Sequence, residues 1–467
     1  MGHAQSLARL DVEHLLLPVL IQLVVIVLAA RVFGMLARTL GQPSVVGEIA
    51  AGLLLGPSLF GAVFPYEFAA IFRPELPGID ADLAAAVVPK IFTVIAQIGL
   101  IFLLFLVGLE FEYAHVRAHG RAALLISVLG ILVPFALGAG LGPVIHPYLE
   151  PHPTAGTVSL LGLTLFLAVA LSITAIPVLG RIMMELAITR TRLGSLAITA
   201  AAIDDAVGWI LLASVVGLVK AEFDPLRTAR MVGLTLAFAL FMVFVVRPVL
   251  VRYFAFSFKR NSGRLSPTAL AVLLAAILSA ASATNLIGIF AVFGAFLLGA
   301  VLADQADLRR AAAAKLNDIV SIFFVPVFFT YTGLQTDVSS LHGAGMWLLC
   351  GVVILAAIVG KLVGCGLAAR AGGFSWREAG IIGSLMNARG LMALVAINVG
   401  FDLGVVPRSL YCILVLAAVA TTAITTPLLL LLRRGTEIEE PIRQSGFWGG
   451  EAAAAEDRQT ASQRVQL

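Results

Sequence analysis

Charge is scarce in this sequence. Asp, Glu, Lys and Arg make up 12% of its 467 residues, against about 25% in a soluble globular domain. With 60% hydrophobic residues, a water-soluble fold is excluded and a polytopic membrane protein is expected. Cysteine is equally sparse. Cys350, Cys365 and Cys412 fall in apolar stretches without CxxC or metal-ligand spacing, which excludes a disulfide framework or zinc site and leaves them as small core residues. No GxGxxG or GxxxxGK[ST] loop occurs, so no nucleotide-binding domain or ATP motor is indicated. HExxH is missing too, and the histidines include no close pair beyond His115 and His119, which lie around Arg117 in a charged turn. Neither an enzyme nor a cofactor-binding or nucleic-acid-binding protein is indicated.

What the sequence does have is long apolar runs. Windows bounded by charge and by Pro or Gly give about thirteen spans, at roughly 14–38, 44–62, 88–111, 121–145, 157–185, 193–219, 229–255, 267–285, 286–303, 317–335, 345–370, 378–400 and 409–432. The boundary between the eighth and ninth is placed near Thr284–Asn285. Residues 63–87 read as an acidic connection, and 435–467 as a disordered polar tail. Glu13 and His14 lead straight into the first span, so no cleavable signal peptide is read there. Basic residues gather about two to one in one set of loops, which holds Arg38, Arg190, Arg260, Arg310, Arg370 and Arg434 among others. The positive-inside rule then places the N-terminus outside and the C-terminus in the cytoplasm, as an odd span count requires. A bacterial inner membrane is the expected location.

Two adjacent acids, Asp204 and Asp205, interrupt the sixth span near its middle, about 15 Å from either end at 1.5 Å per residue. An ionised Asp at that depth costs about 2.5–3.5 kcal/mol on insertion scales, so packing alone does not explain the pair. Neighbours on a helix point about 100° apart and cannot both face one partner. A division of labour follows: one acid pairs with Lys361, deep in the eleventh span, while the other faces a cavity where a proton and a small cation compete for it. Glu48, Glu110 and Glu112 lie nearer the interfaces and read as structural or gating charges.

Two spans carry internal breaks. The fifth contains Ser172–Ile173–Thr174–Ala175–Ile176–Pro177, and the twelfth holds Asn387, Ala388, Arg389 and Gly390 in an apolar run. Freed backbone carbonyls at that depth need protein or an aqueous cavity around them, and Arg389 needs a carboxylate or such carbonyls. The breaks lie seven spans apart, so they cross the membrane in opposite directions, the arrangement of inverted repeats meeting at a midplane site. That reading rests on span counting; no residue-level repeat is evident.

At these residues the sequence resembles the monovalent cation–proton antiporter superfamily, in the branch of bacterial Kef-type and sodium–proton antiporters and plant cation/H⁺ exchangers. The matching stretches are VVGEIAAGLLLGPSLFG (45–61), GLIFLLFLVGLEFE (99–112), LSITAIPVLGRIMMELAITRTRLGSLAITAAAIDDAVGWILLA (171–213), FGAFLLGAVLAD (293–304), FFVPVFFTYTGLQTDV (323–338) and GSLMNARGLMALVAINVGFDLGVV (383–406). The resemblance implies an all-α membrane domain over 1–434, with two crossed discontinuous helices. Core helices would lie at about 121–219 and 345–432, scaffold and dimerisation helices at about 14–111 and 267–335, and a linker helix at about 229–255. It implies a homodimer and elevator-like movement of the core. It also implies that Asp205 binds the transported Na⁺ or K⁺ or the proton, and that Asp204 pairs with Lys361. Thr174 and Ser172 would line the site, with Asn387 and Arg389 in the second crossover. The acid pair with a buried Lys implies electrogenic exchange. The Kef-type nucleotide-binding regulatory domain has no counterpart after residue 434.

The expected activity is therefore secondary antiport of Na⁺ or K⁺ against H⁺. The alternative is a cation channel or gated K⁺ efflux pore on the same scaffold, but selectivity rings usually come from several identical segments, and this chain has a single acid pair.

Overall fold

The computed structural model describes residues 12–74, 81–109, 113–150, 158–219, 225–261, 264–289, 291–334, 336–389 and 391–445. The described residues are helical apart from turns and short connections. In order the helices are α1 (Val12–Thr39), α2 (Ser44–Leu55), α3 (Phe60–Val63), α4 (Pro65–Phe72), α5 (Ala81–Leu109), α6 (Tyr113–Ile145), α7 (Leu160–Ser172), α8 (Ile176–Glu185), α9 (Arg192–Val219) and α10 (Pro225–Phe241). They continue as α11 (Arg247–Arg260), α12 (Pro267–Ile287), α13 (Ala291–Leu302), α14 (Ala306–Ile319), α15 (Val325–Leu334), α16 (Gly343–Ala371), α17 (Trp376–Met386), α18 (Leu391–Asp402), α19 (Arg408–Leu432) and α20 (Glu439–Gln444). Single π turns at Met242–Val246 and Val320–Phe324 fuse α10 to α11 and α14 to α15.

Ten of these continuous helical runs are long and apolar enough to cross a bilayer. Short α13 and the interrupted runs α7–α8 and α17–α18 supply the remaining passes of the thirteen read from the sequence. Three boundaries move. α12 continues past Thr284–Asn285 to Ile287 and turns at Gly288, whose φ of +101° favours a residue without a side chain. The acidic connection contains α4 and the first turns of α5. Residues 435–445 of the expected disordered tail are ordered, because Ile438 and Ile442 are fully buried and α20 carries the second of them; residues 446–467 lie outside the described set, as do Glu110, Glu112 and Gly390.

Helices in lipid gain no hydrophobic driving force from touching each other, so small residues that admit close backbone approach decide which ones meet. A Cβ on Gly52 of α2 would collide with the Thr330 carbonyl of α15, and one on Gly333 with the Ile49 carbonyl. Elsewhere, Gly299 of α13 meets the Phe105 carbonyl of α5, and Gly108 meets the Phe296 carbonyl. In all four contacts a glycine faces the carbonyl three residues before its partner glycine. Five residues ahead of Gly52 and Gly299, Gly47 and Gly294 rest on the carbonyls of Phe33 in α1 and Ala280 in α12. The same contact set thus occurs twice, relating α1, α2 and α5 to α12, α13 and α14–α15. A residue-level repeat is present after all, written in glycine spacing.

Helices α7, α8 and α17–α19 form a second body with α6, α9 and α16, while α3 and α4 lie against α1 and α2 and α10–α11 against α12 and α13. Gly138 of α6 lies on Ala168 of α7, and Gly364 of α16 on the Leu129 carbonyl of α6. Side chains join the two bodies: Val107 of α5 fills the space over Gly180 of α8, and Glu185 at the end of α8 accepts hydrogen bonds from the Ser44 N–H (2.9 Å) and hydroxyl at the start of α2.

Candidate functional site

The site is built where the fifth and twelfth spans break. α7 stops at Ser172 because Ile173 (ψ 135°) and Ala175 (ψ 104°) are extended. α8 then restarts with Pro177 in its first turn, where a missing N–H costs nothing. α17 starts on a capping box, with Ser375 and Glu378 each bonding the other's backbone N–H, and ends at Asn387. The two breaks touch directly, the Ala175 N–H donating to the Ala388 carbonyl at 3.1 Å.

Arg389 answers the question of its partner: it takes carbonyls, not a carboxylate. Its guanidinium donates to Ala170 (2.9 Å) and Leu171 (2.6 Å) in the last turn of α7, and to Ala357 of α16 (3.2 Å). A cation there satisfies orphan carbonyls and opposes the negative end of the helix dipole. Its own N–H is held by the Thr422 hydroxyl of α19 at 3.2 Å. Asn387 donates to the Thr421 carbonyl at 3.1 Å, while its side-chain oxygen is buried with no donor among the described residues.

Above this crossing lies the acid pair on α9. Asp204 is 0% exposed and saturated: Ser127 of α6 donates to Oδ1 at 2.6 Å, and Lys361 of α16 donates to Oδ2 at 2.8 Å. The Thr174 hydroxyl stands 2.9 Å from the same Oδ2 and 3.1 Å from the Met386 carbonyl, linking α9 to both breaks. Asp205, one residue on, is 4% exposed, and no donor among the described residues reaches its buried Oδ1. Leaving such an oxygen unmatched costs about 1–3 kcal/mol, more when charged. A proton or a bound cation removes that cost. The arrangement therefore fixes one acid permanently and leaves the other able to exchange its occupant.

Most residues expected at the site are brought together. Asp204, Lys361, Thr174, Asn387 and Arg389 share one connected set of contacts, and Asp205 adjoins it. Ser172 does not join them: its hydroxyl turns back to the Val169 carbonyl of its own helix at 2.9 Å. Ser127 does, unanticipated, because a single Ser in an apolar run gives no sequence signal. Glu48 has Arg181, Glu185 and Arg38 as its charged neighbours; it is 3% exposed, and its Oε2 has no hydrogen-bond partner among the described residues.

The model of the sodium/hydrogen exchanger transmembrane family matches residues 24–431. A Na⁺/H⁺ antiporter of Synechocystis, NhaS4, is 36% identical over 423 residues, covering 90% of this chain and 98% of that protein. Cation/H⁺ antiporter 19 of Arabidopsis thaliana is 35% identical over 89% of this chain, and K⁺/H⁺ antiporter 1 of Saccharomyces cerevisiae 31% identical over 83%. The chain spans 49% and 43% of the length of those two. Among solved structures, the sodium–proton antiporter MjNhaP1 of Methanocaldococcus jannaschii superposes with a TM-score of 0.60 at 14% identity, over 90% of this chain and 99% of that one. At that identity the likeness concerns the fold.

Proposed function

The chain belongs to the sodium/hydrogen exchanger family, and from that premise we propose how it works: Asp205 carries either a monovalent cation, Na⁺ or K⁺, or a proton, and exchanges one for the other across the membrane. The observation that carries this reading is the contrast between the neighbouring acids. Asp204 is held by Ser127 and Lys361, whereas Asp205 Oδ1 has no donor among the described residues. One carboxylate that accepts either ion but not both, exposed to one side at a time, is sufficient for antiport.

In this reading the body around α6, α9 and α16 moves as the ion carrier against the glycine-packed body, which pairs with a second copy of the chain. Thr174 and Asn387 support the crossing. Arg389 keeps the two broken spans together during movement, since its three carbonyl partners lie on α7 and α16. Lys361 keeps Asp204 neutralised; one monovalent cation traded for one proton at Asp205 moves no net charge, so the electrogenic exchange that the resemblance implies requires a second proton per cation, carried at the Lys361–Asp204 pair. Each net charge carried then gains or loses about 2.3 kcal/mol per 100 mV. The loops rich in Arg and Lys face the cytoplasm of a bacterial inner membrane. Na⁺ and K⁺ both remain candidate substrates, because the relatives named for each are comparably similar to this chain.

The test is exchange in proteoliposomes carrying a pH-sensitive dye. Wild type is expected to respond to imposed Na⁺ or K⁺ gradients. Asp205→Asn is expected to lose the response while keeping its melting temperature, because no donor is orphaned. Persistent exchange in that variant would falsify the assignment.

A further inference from the structure

Arg31 lies on α1 eight residues before its end at Thr39, about 12 Å along the helix axis. It is exposed on the outer face of a membrane span, beside the exposed apolar side chains of Leu28, Val32 and Met35. Among the described residues it has neither a hydrogen bond nor an ion pair. An arginine at that depth is costly unless something anionic meets it. Beside it is a cavity of about 60 Å³ whose wall includes Arg31, Arg38, Ser44, Glu48, Ile322 and Pro326. Because Arg31 and Met35 both line it and are exposed, the cavity opens on the exposed face of α1. The π turn Val320–Phe324 shapes the opposite wall through Ile322. Such turns often mark functional positions.

Two features of the wall are unmatched. Glu48 is 3% exposed, and its Oε2, within this lining, has no donor among the described residues. The charges around it also fail to balance. Among the described residues, Arg31, Arg38 and Arg181 face only Glu48 and Glu185; Arg181 pairs with Glu185 at 2.9 Å, and Arg38 reaches it at 3.8 Å. A ligand that fits must bring one negative charge for the guanidiniums and one neutral donor for the carboxylate.

We propose that this cavity binds the headgroup of an anionic, hydroxyl-bearing phospholipid of the phosphatidylglycerol class. Its phosphodiester lies between Arg31 and Arg38, geometry that guanidinium groups serve well, and a glycerol hydroxyl donates to Glu48 Oε2. The acyl chains follow the exposed apolar face of α1. Because Arg38 also approaches Glu185, the bound lipid shares a residue with the contact that ties α8 to α2.

Native mass spectrometry and thermal melting of the full-length protein, titrated with lipid, test this. Wild type is expected to bind one phosphatidylglycerol per chain and to be stabilised by it more than by phosphatidylcholine. Arg31→Gln should weaken that binding about fivefold, the factor one basic residue contributes near an anionic lipid surface; Arg31→Lys should retain most of it. Both variants should exchange ions normally in phosphatidylcholine vesicles, which shows that they fold. Glu48→Gln, which brings its own donor, should erase any preference for phosphatidylglycerol over phosphatidic acid. Equal binding by wild type and Arg31→Gln overturns the proposal. Equal stabilisation by phosphatidylcholine overturns it as well, by showing that the groove reads acyl chains only. A matching shift from inorganic phosphate or glycerol phosphate alone makes the ligand a soluble anion and overturns the lipid assignment.

Discussion

Lys361 Nζ stands 2.8 Å from Asp204 Oδ2, and neither side chain has any exposed surface. A buried pair of this kind contributes little net stability, yet breaking it is expensive, because the surviving charge has no solvent to return to.

Lys361→Ala should therefore lower stability by about 3–5 kcal/mol, visible as a large drop in melting temperature. Adding Asp204→Asn should recover most of the loss, since no lone charge then remains. Cation recognition should suffer less than stability, because Asp205 is untouched. A single variant that melts like wild type would contradict the role assigned to the pair.

Proton and cation compete for Asp205 in the proposed cycle, which fixes the sign of the pH dependence. As pH falls, protons occupy the carboxylate and the apparent KM for the cation rises, approaching about tenfold per pH unit where one proton is displaced. As pH rises, KM should level off. Initial rates in proteoliposomes across cation concentrations and pH values measure this; a KM indifferent to pH would rule out a shared carboxylate.

Arg389 serves three carbonyls at once, which an ammonium group of different shape cannot reproduce. Arg389→Lys should leave at least one buried carbonyl unmatched, at about 1–3 kcal/mol each, and Arg389→Ala should be worse. Detergent-solubilised melting curves give the ordering, with wild type above Lys and Lys above Ala. Exchange activity should follow that order.

The doubled glycine contacts make a symmetrical prediction. Gly52→Ala and Gly299→Ala each push a methyl group into a backbone carbonyl, that of Thr330 or Phe105. Both should reduce the yield of folded protein to a similar extent, while alanine at Gly140, which has open space around it, should be silent. Size-exclusion profiles after membrane extraction would reveal an asymmetry if the two contacts were not equivalent.

Much of this was legible before any coordinates. The spans declare themselves through hydropathy, and the acid pair with Lys361 through the cost of charge in lipid; that one acid pairs with Lys361 follows from that cost, and that it is Asp204 from the family resemblance. Arg389 could be assigned to freed carbonyls or to a carboxylate but not decided between them, because which helix end lies opposite is a matter of tertiary placement. Ser127 was invisible because a hydroxyl in an apolar run carries no pattern. The direction of the Ser172 hydroxyl, which donates to the Val169 carbonyl of its own helix, is not legible from sequence, because a serine in the last turn of a helix can turn back to a free carbonyl or outward. The internal repeat escaped notice because it conserves five-residue glycine spacing, as at Gly47 and Gly52 against Gly294 and Gly299, while the side chains between differ. The tail looked featureless since two isoleucines four apart, Ile438 and Ile442, are too few to make a period.

Where main chains touch through glycine, no side chain can rotate aside to absorb a displacement. Sliding α2 along α15, or α13 along α5, would drive carbonyl oxygens into Cα atoms. The half of the molecule assembled this way behaves as a girder. Whatever travel accompanies ion exchange must then occur along the seam where Val107 covers Gly180 and Glu185 grips Ser44, since there the joint is made of groups that can let go and re-form.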